Sequence, residues 1–361
     1  MKAALLHEAA TPLTVEEIDI IDPRPNEVRV NTAVSGVCHS DLHFASGSWN
    51  PRMLGRGPWV LGHEAAGTVE AVGDQVTYVQ PGDHVIMSFK PFCGTCKHCT
   101  SGRANLCASP SVYGPTRGRL SWDGKPVSMM SSVGSFAEQM VTVESGVLKI
   151  PDDMPWAEAA LVGCGVMTGV GAALYTAQVP GGATVVVIGC GGVGLNVIQG
   201  CRIAGAAHII AVDMLDSKLE LAKSFGATDV VNASQRDPVE AVKEMTGDTV
   251  EYAFEVIGRG DTSRQAFDMV EAGGTAVVVG MVADDITVPG PAFLSEKRLI
   301  GCMYGSTRFR EHMPKLMELY RQGRLDLSAL VTERMPLEDV NVAFEKMKTG
   351  EVARSVLEIG V

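Results

Sequence analysis

The run FCGTCKHCTSGRANLC carries Cys93, Cys96, Cys99 and Cys107 with two, two and seven residues between successive cysteines. Thiolates two residues apart reach one metal from a tight turn, and a fourth that returns later closes a tetrahedron. The set reads as a structural zinc site, with no open coordination position, that braces a loop and does no chemistry. An iron–sulfur cluster is the competing reading. It is disfavoured because the bacterial ferredoxin run has a shorter last spacer followed by proline, where Ala108 stands here. Three other stretches hold metal-ligand residue types: GVCHSDLH with Cys38, LGHE with His63 and Glu64, and GCG with Cys164. Cys38, His63 and Cys164 would make a Cys₂His set that leaves a fourth position for water or substrate, as a catalytic zinc requires. Spacing alone supports this trio weakly, because a single cysteine is more often a small core residue.

A different chemistry is carried by ATVVVIGCGGVGLNVIQGCRIAGAAHIIAVD. Gly189, Gly191 and Gly194, with Gly192 and Val193 between them, follow an apolar strand and open a helix, and Asp213 ends the next strand. Glycines there let backbone N–H groups approach a pyrophosphate at the helix N-terminus, while the acid accepts hydrogen bonds from ribose hydroxyls. Asp213 also repels a 2′-phosphate, which favours NAD over NADP. The competing reading is a tight structural turn with Asp213 as a helix cap.

Elements to position these residues can be read in three regions. Residues 1 to about 160 show short β-like runs (Val28 to Val34, Ala66 to Val72, His84 to Met87, Phe136 to Val143) between Gly, Pro and Asp turns. From about 165 to 300, strands alternate with helices (strand Thr184 to Ile188, helix Val193 to Ala204, strand His208 to Asp213, helix Ser217 to Phe225), which predicts a parallel sheet with right-handed crossovers. Runs Tyr252 to Val256 and Thr275 to Val279 continue it. Two amphipathic helices (Arg308 to Gly323, Leu337 to Lys348) and a strand (Ser355 to Ile359) close the chain. The chain has 361 residues, 46% hydrophobic and 20% charged, with a formal net charge of −12. These values exclude disorder and disfavour nucleic-acid partners. The apolar runs noted, such as Ala183 to Ile188, fall short of the roughly 20 residues of a membrane helix, and the N-terminus lacks a signal-peptide core. A cytoplasmic protein is expected, with cysteines that serve as ligands or core residues rather than disulfides. Cys190, Cys201 and Cys302 are most simply buried apolar residues.

The segments GVCHSDLHFASG, GHEAAGTVEAVG, PFCGTCKHC, GCGVMTGVGAA, GCGGVGLNVIQGCRIAGAAHIIAVD and AFEVIGR, in this order over essentially the whole chain, resemble the zinc-dependent medium-chain alcohol dehydrogenases, nearest the liver-type branch. The resemblance implies an α/β fold: a GroES-like, β-rich catalytic domain (1–164 and 305–361) around an inserted Rossmann NAD-binding domain (165–304) with a doubly wound parallel sheet. It implies two zinc ions per chain, with Cys38, His63 and Cys164 on the catalytic ion and the four-cysteine lobe on the structural one. Glu64 would sit behind the catalytic ion. Asp41 would hydrogen-bond His63 and set its tautomer. Ser40 would pass the alcohol proton through the nicotinamide ribose to His43. His39 and Arg354 would meet the coenzyme phosphates, Lys218 the adenosine ribose and Thr168 the nicotinamide.

Carried over by position, the alcohol pocket would be lined by Ser40, Phe89, Met130, Met281 and Met303, with Trp49 and Trp59 in a nearby loop. This apolar, pliable lining suits primary, allylic or aromatic alcohols and their aldehydes or ketones. A glutathione-dependent formaldehyde dehydrogenase of the same family ranks second. Its charged pocket mouth could draw only on Arg52, Arg56, Arg117 and Arg119, and its acidic loop residues are not found in ASGSWNPRMLGRGPW. A non-catalytic zinc-braced binding or structural protein is opposed by the intact ligand trio, and a zinc-module transcription factor by the acidic balance. The expected partners are a small alcohol or aldehyde and other copies of the chain, as homodimer or homotetramer, with no nucleic acid and no membrane.

Overall fold

A computed structural model describes residues 1–48, 57–113, 118–350 and 352–361. The chain divides into two compact units. The first comprises Met1–Cys164, Arg308–Tyr320 and Leu327–Val361, and the second Gly165–Thr307 and Arg321–Asp326.

In the first unit the eleven-residue strand Glu27–Val37 organises a seven-stranded sheet. Antiparallel partners flank it at Glu64–Val72, Gln139–Val143 and Arg354–Glu358. The register Ser355↔Val37 and Gly36↔Glu64 sets the C-terminal strand and Glu64 beside the chain just before Cys38. A second sheet of six short strands packs around Leu5, Leu6, Leu61 and Phe136, all fully buried.

The second unit is a parallel sheet in the order Asp229–Asn232, His208–Asp213, Thr184–Ile188, Val250–Glu255, Val270–Val278, Arg298–Gly301. Strand order reverses between Thr184–Ile188 and Val250–Glu255, and ligands of open α/β sheets bind at the carboxyl ends of such a switch point. Covered on both faces, the strands read as continuous apolar runs, with Val186, Ile188, Ile210, Val212 and Ala253 buried together.

Two features differ from the sequence reading. The segment Trp156–Ala177 forms one 22-residue apolar helical stretch, long enough to cross a membrane by length and composition; its most apolar window is 89% buried inside the protein, as a core helix is. Its all-round Ala, Gly and Val content leaves no amphipathic period to detect. The segment Arg321–Asp326 also belongs to the second unit rather than to the terminal one. Gln199 fastens it there, donating from Nε2 to the Asp326 carbonyl (3.0 Å) while its Oε1 accepts from Asp326 N (2.7 Å).

Candidate active site

Cys38 stands at the junction of strand Glu27–Val37 and helix His39–Ala45, as the helix N-cap. Three residues on, the buried Asp41 carboxylate accepts from Cys38 N (2.9 Å), Gly62 N (3.0 Å) and, by the network, His63 Nδ1–H (3.1 Å). One carboxylate thus locks both loops and fixes the imidazole tautomer, leaving the Nε2 lone pair for a metal. Cys164 lies on a π-helical turn, Val162–Val166, of a kind that often marks functional positions. One ligand atom each from Cys38, His63, Glu64 and Cys164 lies within 4.8 Å of the others, and all four residues are buried.

The electrostatics of this group are those of a cation site. A hydrogen bond from Cys164 and the Arg354 charge hold the Cys38 thiol well below its ordinary range, and the Cys164 thiol is raised in turn. Burial opposes protonation of His63, but Asp41 and Cys38 outweigh it and hold the imidazolium well above its usual value. Burial pushes the Glu64 carboxyl up to about 7, against the opposing charge of Arg354. Two sulfurs and one imidazole nitrogen, buried and converging, are the donor set that suits zinc with one position left over.

The second group is built differently. Cys93, Cys96, Cys99 and Cys107 are threaded on the short helix Lys97–Thr100 and the turn Ala104–Leu106. Their sulfurs are 3.5 Å (Cys96 to Cys99) and 4.0 Å (Cys93 to Cys99, Cys96 to Cys107) apart. Four ligands about 2.3 Å from a tetrahedral zinc would stand roughly 3.8 Å from one another, whereas a disulfide requires about 2.05 Å. The spacing therefore fits a shared metal, and all nine cysteines are free. Hydrogen bonds from Thr95 and Cys96 pull the Cys93 thiol down to about 5, while burial pushes Cys99 up to about 12.

In the second unit the glycine loop forms a tight backbone turn at the sheet's switch point. Gly189 has φ +100°, and a Cβ on Gly194 would lie 1.8 Å from the Gly189 carbonyl oxygen, so neither position admits a side chain. Helix Gly192–Ala204 begins here with no acid in its first turn, which leaves its N–H groups and dipole to an anion. The Asp213 carboxylate accepts from Cys190 N (2.8 Å) and Met214 N (2.7 Å), tying the loop to the next strand end. Val193, Lys218 and Thr168 are half-buried in the same unit.

The remaining expected positions divide. Ser40 Oγ is 3.5 Å from Cys38 Sγ, His39 is exposed, and His43 Nδ1 is 3.1 Å from Ser48 Oγ. Phe89 meets the His63 ring edge-on at 5.6 Å between centroids. Met130 packs in the core of the first unit, whereas Met281 and Met303 belong to the second. Arg354 is buried, with Nη2 3.4 Å from Glu64 Oε1 and Nη1 donating to the Val37 carbonyl at 3.4 Å. Trp59 is not in a loop: it lies on strand Trp59–Val60 and packs against Phe44 in the core. Arg119 is wholly buried and ion-paired with Glu27 (Nε to Oε2 3.0 Å), so it cannot meet a substrate at a pocket mouth. Trp49, Arg52, Arg56 and Arg117 lie outside the described residues. Glu255, a fully buried carboxylate ending its strand, was not singled out from the sequence. The acid closing the apolar run in AFEVIGR is the only signal that could have found it.

A GroES-like half bearing two gathered metal-ligand sets, together with a Rossmann half bearing a nucleotide cradle, defines a zinc-binding dehydrogenase. Residues 24–152 match the alcohol dehydrogenase GroES-like domain and residues 192–322 the zinc-binding dehydrogenase domain. The alcohol dehydrogenase zinc-binding domain protein of Burkholderia ambifaria is 32% identical, with 100% of this chain and 99% of that one covered and a TM-score of 0.93. Benzyl alcohol dehydrogenase of Acinetobacter calcoaceticus is 30% identical over 99% of both chains, with a TM-score of 0.92. The alcohol dehydrogenase of Aeropyrum pernix is 30% identical over 99% of this chain and 100% of that one, with a TM-score of 0.83. The chain belongs to the zinc-dependent medium-chain alcohol dehydrogenase family. It is an oxidoreductase, and zinc is that family's usual cofactor.

Proposed function

We propose that the protein is an NAD-dependent alcohol dehydrogenase interconverting primary alcohols, aromatic or allylic, with their aldehydes. The observation that carries this reading is the buried convergence of Cys38, His63 and Cys164 with the Phe89 ring against the imidazole. Three strong donors and an aromatic wall make a site that activates oxygen and tolerates a flat apolar substituent. The 30% identity to benzyl alcohol dehydrogenase over 99% of both chains supports the aromatic class.

In this reading Cys38, His63 and Cys164 hold the catalytic zinc and the four-cysteine lobe the structural one. When bound, zinc would supply a Lewis acid for the alcohol oxygen and NAD a hydride acceptor, the balance being alcohol and NAD⁺ to aldehyde, NADH and a proton. The protein's residues do the rest. Asp41 keeps Nε2 of His63 a lone-pair donor. Phe89 shields the site from water and guides a flat substrate. Ser40, beside Cys38, takes the hydroxyl proton at Oγ, and His43, one helical turn on, is the acceptor that delivers it to solvent. Gly189, Gly191 and the helix N-terminus bind the pyrophosphate, and Asp213 prefers a ribose diol to a 2′-phosphate.

Initial rates with benzyl, cinnamyl, short aliphatic and secondary alcohols, each with NAD and NADP, test the assignment. Benzyl or cinnamyl alcohol with NAD is expected to give the highest kcat/KM, and Asp213→Ala to narrow the NAD preference by roughly tenfold. Turnover of S-hydroxymethylglutathione above every alcohol, or equal use of NADP by the parent, overturns the substrate or the coenzyme assignment respectively.

A further inference from the structure

At the carboxyl edge of the parallel sheet, three strand ends meet one side chain. Ile188, Glu255 and Val278 stand in register on adjacent strands. The Glu255 carbonyl accepts from Val279 N (2.8 Å) and Gly280 N (3.1 Å), which begin the loop after Val270–Val278. Its carboxylate Oε1 accepts from Ile257 N (2.9 Å), Gly258 N (2.7 Å) and Thr262 Oγ1 (2.8 Å), which holds the loop after its own strand and the first turn of helix Gly260–Met269. The residue is fully buried, and Oε2 has no hydrogen-bond partner among the described residues.

The two loops so held are packed backbone to backbone. Gly258 has φ +96°, and a Cβ on it would lie 2.7 Å from the Met281 carbonyl oxygen. A Cβ on Gly280 would lie 2.2 Å from Gly258 N and 2.8 Å from Glu255 Oε2. The first loop also reaches the nucleotide cradle, because Val256 N donates to Ile188 O (2.9 Å) and a Cβ on Gly189 would lie 2.7 Å from Ile257 Cγ1. Ile257, 45% exposed, offers an apolar surface at this edge.

A dinucleotide straddles the point where strand order reverses. Asp213 marks the adenosine side, on strand His208–Asp213. The strands on the other side, Val250–Glu255 and Val270–Val278, must then carry the nicotinamide half on the loops that follow them. We infer that Glu255 is a positioning residue for the nicotinamide half of the coenzyme: it sets the 256–259 and 279–281 loops at the depth that the ring requires, without touching the ring. The inference rests on the dinucleotide reading above. A carboxylate is suited to the task because one oxygen can accept several donors at once, Arg259 N at 3.4 Å included, and burying it without those donors would be costly.

Calorimetric titration with NADH and with ADP-ribose, which lacks the nicotinamide, separates positioning from general loosening. Glu255→Leu keeps the bulk but removes the acceptor that Oε1 presents to Ile257 N, Gly258 N and Thr262 Oγ1. It should weaken NADH roughly tenfold and ADP-ribose by no more than about twofold. Thr262→Val, which removes one donor and leaves the carboxylate, should move the NADH to ADP-ribose ratio the same way by a smaller factor, and it serves if the first variant fails to fold. Equal weakening of both ligands, or an unchanged ratio in both variants, overturns the inference alone. A parent chain that binds neither ligand overturns the dinucleotide reading and this inference with it.

Discussion

The two metal-ligand groups differ in how the chain assembles them, and on that difference rests the proposal that one braces and the other reacts. The lobe at Cys93 to Cys107 is local: fifteen consecutive residues supply four thiols, three of them only half-buried, around a short helix and a turn. The group at Cys38, His63, Glu64 and Cys164 is assembled from a strand end, a second strand start and a π-turn far along the sequence, and every member is buried. Four thiolates saturate a tetrahedral ion. Three donors with a carboxylate that is itself occupied by Arg354 leave room for a reacting oxygen.

If that contrast is correct, Cys164→Ser gives the largest effect. It should lower turnover by at least about a thousandfold, several kcal/mol of barrier, with folding and NADH binding kept. Metal analysis should fall from about two zinc ions per chain to about one. Near-parental rates in this variant would remove the chemical role from the buried group. Cys99→Ser makes the opposite demand. It should also lose one zinc, but the loss should appear as stability, on the order of 3 kcal/mol and several degrees in Tm, with the surviving folded fraction still active. A variant as stable as the parent would show that the lobe braces nothing.

A smaller effect probes the support of the buried group. Asp41→Asn removes the charge that orients His63 and anchors Cys38, and it should cost about 10- to 100-fold in zinc affinity, read by competition with a chelator. No lobe variant should match that selective loss from the buried site. Zinc lost equally from both sites would place Asp41 in general stability rather than beneath the buried ligands.

The same contrast explains what could be read in the sequence. Cys93, Cys96, Cys99 and Cys107 were legible because a local loop writes its geometry into its spacing. The glycine loop was legible for the same reason, since strand, turn and helix are contiguous. Cys38, His63 and Cys164 were only weakly legible from spacing, because strand pairing such as Gly36↔Glu64 and the course of helix Trp156–Ala177 bring them together. That helix was itself missed, being apolar on all sides. Arg354 entered only through the resemblance, because it is the pairing of Arg354–Glu358 with Glu27–Val37 and Val331–Pro336 that makes this a central strand and buries the guanidinium against Glu64. Glu255 carried only a faint mark, an acid closing an apolar run, because most of its partners are backbone N–H groups that any sequence possesses.

The smallest expected effect lies at the rim of the buried group, on helix His39–Ala45. Ser40 Oγ stands 3.5 Å from the Cys38 sulfur, whereas His43 is half-exposed with Nδ1 3.1 Å from Ser48 Oγ. If His43 only closes that surface turn, His43→Gln changes stability and leaves the pH profile of kcat parallel to the parent. If it receives the proton that Ser40 gives up, the variant should oxidise alcohol a few-fold more slowly below about pH 7, where solvent is a poor acceptor, and approach the parent at higher pH. Added imidazole should restore part of the loss, because a diffusing base can replace an acceptor at an open rim. Ser40→Ala should be the more damaging change and resist that rescue, since the missing hydroxyl lies beside the buried ligands. Loss at every pH without rescue would mean that His43 shapes the helix rather than moving the proton.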